Sequence, residues 1–227
     1  MNFSEIWISL ALILIAAGLL VVTGLKKQPG IGIIGTVIVI ALAYWLRGDP
    51  ITGLGLAAPE NWTRTILLGL AFGIIIQLIA IILIEPLSEK LTNSAHDHSL
   101  VENVKGNWKA FLQWMLMVWV MVAFLEEVVF RGFLLTETIK VLGDGTGALI
   151  FIIIFSSLVF GFAHGYQQRA GILSTAIIGA MLAGIFVCSD FNLWLAVFTH
   201  GFIDTVGIGL IALEKDEAIR KLIRKGT

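Results

Sequence analysis

The chain has 227 residues, 58% of them hydrophobic and 14% charged, with a mean hydropathy of +0.95. Soluble domains carry nearer ~25% charged residues, so the composition reads as an all-α polytopic membrane bundle, with residues 1–227 as one membrane domain. The net charge of −1 points to no nucleic-acid partner and no acidic substrate. One cysteine leaves no internal disulfide framework, and no Walker, Rossmann or Cys/His zinc motif is present.

Apolar runs of spanning length fall at about seven places: residues 3–25, 31–46, 65–84, 110–141, 148–163, 172–188 and 193–213. The first has no basic leader and runs into Lys26-Lys27, so it reads as a retained span rather than a signal peptide. Residues 85–108 collect Glu89, Lys90, His96, Asp97, His98, Glu102 and Lys105, and form the expected extramembrane loop. His96 and His98 have the spacing of a metal pair, but a solvated loop is the simpler reading. Cys188, with apolar flanks, reads as a small packed residue. The mixed-sign residues 214–225 read as a helical extension.

Seven spans put the termini on opposite sides. Eleven Lys and Arg residues then fall on the side of the carboxyl terminus and three (Arg47, Arg64, Lys140) on the other, with Arg131 inside a span. The positive-inside rule makes the carboxyl terminus cytoplasmic. The short loops point to a prokaryotic plasma membrane.

The fourth run carries Phe124-Leu125-Glu126-Glu127-Val128-Val129-Phe130-Arg131. A charge at bilayer depth costs at least ~2.5 kcal/mol, so something must compensate for it or use it. Glu127 and Arg131, four apart, are placed for an intrahelical ion pair. Glu126 lies about 100° around the helix and has no basic residue at i±3 or i±4, so its partner must come from another helix. Two carboxylates could be structural, holding helices together. An adjacent pair accompanied by intramembrane histidines favours function.

His164 ends the fifth run, in Phe160-Gly161-Phe162-Ala163-His164, and alone could be an interfacial anchor. His200 lies within the seventh, in His200-Gly201-Phe202-Ile203-Asp204, with Asp204 one turn on along the same face. Glycines at 132, 165, 201 and 207 could let neighbouring backbones approach these residues closely. Together the polar groups could converge on an intramembrane cavity. Hydrolysis is the chemistry that fits, with Glu126 taking a proton from water and a histidine polarising that water or stabilising an oxyanion. Glu126, His164 and His200 are also the ligand types of a catalytic zinc site, although no His-Glu-x-x-His motif occurs; the cofactor is therefore none or zinc.

The three segments match Glu-Glu-x-x-x-Arg, Phe-x-x-x-His and His-x-x-x-Asn/Asp, in that order. Residues 110–210 thus resemble the CAAX-protease and bacteriocin-processing (Abi) family of intramembrane peptidases, which includes the type II CAAX prenyl endopeptidases. The resemblance implies an endopeptidase acting on a membrane-associated peptide or protein. Glu126 would activate water with help from His164, and His200 and Asp204 would form the oxyanion-stabilising pair. Glu127, Arg131 and Phe160 would support the site. The prenyl-processing branch typically has asparagine where this chain has Asp204. An ionised carboxylate cannot donate to an oxyanion, so Asp204 is protonated, orients His200, or binds metal. A non-proteolytic scaffold or bacteriocin-immunity protein, or an ion-coupled transporter, are the alternatives.

The expected topology carries one conflict. If the fourth span starts near Ala110, Glu126 lies ~24 Å along it toward the outer side, whereas His164 ends the fifth at the inner side. The expected resolution is that residues 110–117 are interfacial and the span proper starts near Val118, with the site opening to the cytoplasmic side.

Overall fold

The computed structural model describes residues 3–215. No strand occurs among the described residues; the chain follows seven helical paths. They are α1 (Phe3–Leu25), α2 (Pro29–Arg47), α3 (Trp62–Thr92), α4 (residues 108–142), α5 (Thr146–Ala163), α6 (Gln168–Cys188) and α7 (Leu193–Ala212). Six of them are long and apolar enough to cross a membrane. The remaining path, α4, carries Glu126, Glu127, Arg131 and Glu137 and is broken into short α- and π-helical stretches.

The helices begin and end where local chemistry dictates. Pro29 opens α2, where a missing N–H costs nothing, and Gly48 closes it in the left-handed conformation. Asn61 and Asn107 cap α3 and α4, each side-chain oxygen accepting a main-chain N–H. The loops assort to two ends of the bundle. At one end Gly24 abuts Ala163, the Asp97 N–H donates to the Gln167 carbonyl, and the Gly106 N–H donates to the Ala212 carbonyl. At the other, Asn192 donates to the Ala57 carbonyl and the Leu193 N–H to the Gly55 carbonyl. This alternation is that of seven crossings.

Large apolar side chains such as Leu14, Leu67, Ile82, Leu116 and Phe151 face outward, while Glu126, Glu127, Arg131, His164 and His200 are buried. Apolar outside and charge inside is the arrangement a bilayer demands. At the centre stands α4, whose Val128–Leu135 segment is buried along its whole length. On α3, Gly69 and Gly73 let the backbone close onto Phe198 and Phe202 of α7; a Cβ at Gly73 would lie 2.5 Å from the Phe202 Cβ.

Three expectations change. Residues 85–92 do not begin a loop but continue α3 through a π-helical turn at Ala80–Ile84. His96 is not solvated: its ring packs against α6, within hydrogen-bond reach of Ser174 Oγ at 2.9 Å. Cys188, read as packed, is exposed because it is the last residue of α6. The expected extension over 214–225 lies, from 216 on, outside the described residues.

Candidate active site

The middle of α4 is wound as two π-helical stretches, Val118–Glu126 and Val128–Leu135. The i→i+5 bonding adds residues to each turn and re-aims side chains relative to an α-helix. The change from α to π falls at Val118. Before it, Trp108–Met117 packs beside the carboxyl end of α7, with Val104, Ala110, Ile211 and Ala212 forming a small apolar cluster. With this path, Glu126 and His164 lie at the same depth.

Glu127 is fully buried and its Oε1 accepts two bonds, from Arg131 Nη1 at 2.8 Å and from His200 Nδ1 at 2.8 Å. Arg131 also donates to the Gly179 carbonyl at 2.9 Å and stacks its guanidinium 4.6 Å from the Phe160 ring centroid. One ion pair thereby ties α4 to α5, α6 and α7. The His200 bond to Glu127 was not legible in the sequence, which paired His200 with Asp204. That second pair is looser, Nε2 to Oδ2 at 3.7 Å, beyond hydrogen-bond distance.

His164 caps α5, and its Nδ1–H donates to the Phe160 carbonyl at 2.8 Å. Its ring packs on Phe160, centroids 4.5 Å apart, with Tyr166 on another side at 5.6 Å. Because Nδ1 is the donor, Nε2 of the neutral ring is an acceptor. It faces Glu126 Oε2 at 3.7 Å, and that oxygen has no hydrogen-bond partner among the described residues. Gly201, next to His200, makes room for the Trp119 ring, which a Cβ there would strike at 2.5 Å.

A cavity of about 230 Å³ adjoins the two histidines of this cluster; Glu126, Glu127 and Arg131 are not in its lining. His164, His200 and Asp204 line it from α5 and α7, and His96, Asp97 and Val101 from the segment between α3 and α4, which we take as its mouth. The mouth is at the end of the bundle bearing the 93–107 loop. There His96 is held between Ser174 and Glu89, its Nδ1 lying 3.3 Å from Glu89 Oε1. Hydrogen bonds from the Ser99 side chain and main-chain N–H hold the Asp97 carboxyl below its ordinary range. Tyr166, Ser174 and Gln77 also line the cavity, and sequence reading did not single out any of the three as a site residue. Gln77 had a signal, a lone amide in an apolar span.

Among the described residues, no three His, Cys, Asp or Glu side chains are grouped so as to hold a metal ion. The set Glu126, His164 and His200 therefore does not form a three-ligand centre in this arrangement. His200 has already committed Nδ1 to Glu127.

Fold and site together define a multi-pass helical membrane protein with an ionisable cluster buried among its spans. Residues 108–206 match the family model described as Rce1-like, type II CAAX prenyl endopeptidase. The match takes in every motif residue, and over this core the chain is similar to the CAAX-type intramembrane endopeptidases. No curated protein and no solved structure matches the chain.

Proposed function

We propose that this protein is a glutamate-type intramembrane endopeptidase that hydrolyses a peptide bond in a membrane-associated peptide or protein. The observation that carries the proposal is the facing pair Glu126 Oε2 and His164 Nε2, two acceptors 3.7 Å apart, the histidine lining the cavity and the carboxylate beside it. A water bound between two acceptors donates one hydrogen to each and turns its lone pairs toward the substrate carbonyl. Glu126 then removes the proton as the water attacks, and His164 orients the water through the tautomer that the Phe160 carbonyl imposes. His200 is aimed by Glu127, so that its Nε2–H, when the ring carries a second proton, donates to the oxyanion. Asp204 lies beside that nitrogen, too far for a hydrogen bond, and balances its charge. Protonated Glu126 finally returns its proton to the leaving amine.

On this reading the substrate enters from the mouth formed by residues 93–104, on the side that the positive-inside rule makes cytoplasmic, and the short loops suit a prokaryotic plasma membrane. Purified protein in detergent, given a panel of membrane-partitioning peptides, tests the reading. Glu126→Gln should lower cleavage by about 10²–10⁴, and His164→Ala should abolish most of it. Activity should survive chelator. Loss on chelation with recovery on zinc would replace the glutamate mechanism with a metal-dependent one. Absence of cleavage of any peptide, with both variants folded and functional in cells, would favour the scaffold reading.

A further inference from the structure

Between Ile66 and Ile84 on α3 every residue except Gln77 is apolar or glycine. Gln77 is 8% exposed, and it lines the same cavity as His200 and Asp204. Its side-chain amide makes no hydrogen bond among the described residues, and neither amide atom is sealed away from the cavity. Across from it is Gly207, where a Cβ would sit 2.9 Å from Gln77 Nε2. Gly207 follows Asp204 by three residues, so the amide stands one helical turn from Asp204, toward the mouth.

The amide makes no hydrogen bond to the protein and opens on the cavity, so its donor and acceptor are available to whatever occupies that space. The chemistry of the group says what would satisfy it. A primary amide offers a paired donor and acceptor, which match the C=O and N–H of a peptide main chain. Of the cavity's polar groups, His164, His200 and Asp204 belong to the proposed catalytic cluster, which leaves Gln77 free for a binding role. We propose that Gln77 binds the substrate main chain beside the scissile bond, on the mouth side. It therefore reads an extended peptide irrespective of side-chain sequence. This rests on the endopeptidase reading above.

The test is binding of a dansyl-labelled, capped peptide of alanine and leucine to Glu126→Gln protein in detergent, with and without Gln77→Leu. The added substitution should raise Kd by about tenfold, the loss of one to two hydrogen bonds, with thermal stability unchanged. If Gln77→Leu fails to fold, Gly207→Ala serves instead, because its methyl group displaces the amide without altering its chemistry; it should weaken binding in the same direction. An unchanged Kd overturns the inference, as does failure of the Glu126→Gln protein to bind the peptide. Cleavage by the wild-type protein is scored separately. Cleavage with Kd insensitive to Gln77 sinks this inference and leaves the peptidase. A Kd that depends on Gln77 without any cleavage keeps the contact and sinks the peptidase.

Discussion

Glu127 is the most connected residue of the site. Its Oε1 holds both Arg131 and His200, so it neutralises one cation and aims one ring. Removing one member of a buried pair costs about 3–5 kcal/mol, because the other is left uncompensated. Arg131→Ala should therefore lower unfolding stability in detergent by about that amount. Arg131→Lys should recover only part of it, since a lysine cannot hold Glu127, reach the Gly179 carbonyl and stack on Phe160 together. Asp204→Asn is the sharper functional probe. If the carboxylate balances His200, the variant should fold normally and lose peptidase rate; a rate equal to wild type would remove that role from Asp204.

Among the elements, α3 and α7 pack closest where glycines stand. At Gly73 a side chain would meet the Thr199 carbonyl at 2.9 Å as well as Phe202. Gly73→Leu should destabilise by about 1–3 kcal/mol and lower activity through the displaced α7, which carries His200. The segment leading to the mouth behaves differently. His96 holds it to α6 through Ser174, and His96→Ala should raise amide exchange across residues 93–104 while the spans stay protected. An exchange pattern identical to wild type would show that the histidine does not hold the mouth. The π-helical winding of α4 explains why its helical-wheel geometry was unreadable: a 100° step no longer applies between Val118 and Leu135. The Glu127–Arg131 spacing still produced its ion pair, because both ends of that turn face the buried side.

For the whole molecule, the arrangement of loops at two ends makes topology measurable with the native chain. Cys188 is the single cysteine and is exposed at the end bearing the α6–α7 turn. With a cytoplasmic carboxyl terminus, a membrane-impermeant maleimide should label Cys188 in intact cells. In a Cys188→Ser background, a cysteine placed at Ser94 should label only after permeabilisation. The reverse pattern would invert the molecule and put the cavity mouth outside. Between 33% and 50% of each apolar spanning window is buried within the bundle, so the remaining faces are left for lipid.

The sequence by itself determined the membrane class, the position of every span to within a few residues at most boundaries, and the three polar segments. Each of those rests on local signals: hydropathy over a bilayer-length run is large and additive, and a charge in such a run is conspicuous because it is costly. Tertiary structure alone decided which polar groups meet. His200 bonds Glu127 rather than Asp204, Glu126 reaches the depth of His164, His96 docks on Ser174, and Gln77 turns into the cavity. Those outcomes depend on helix winding, tilt and register across elements far apart in the chain. Spacing along one helix carries no information about the rotation of its neighbour.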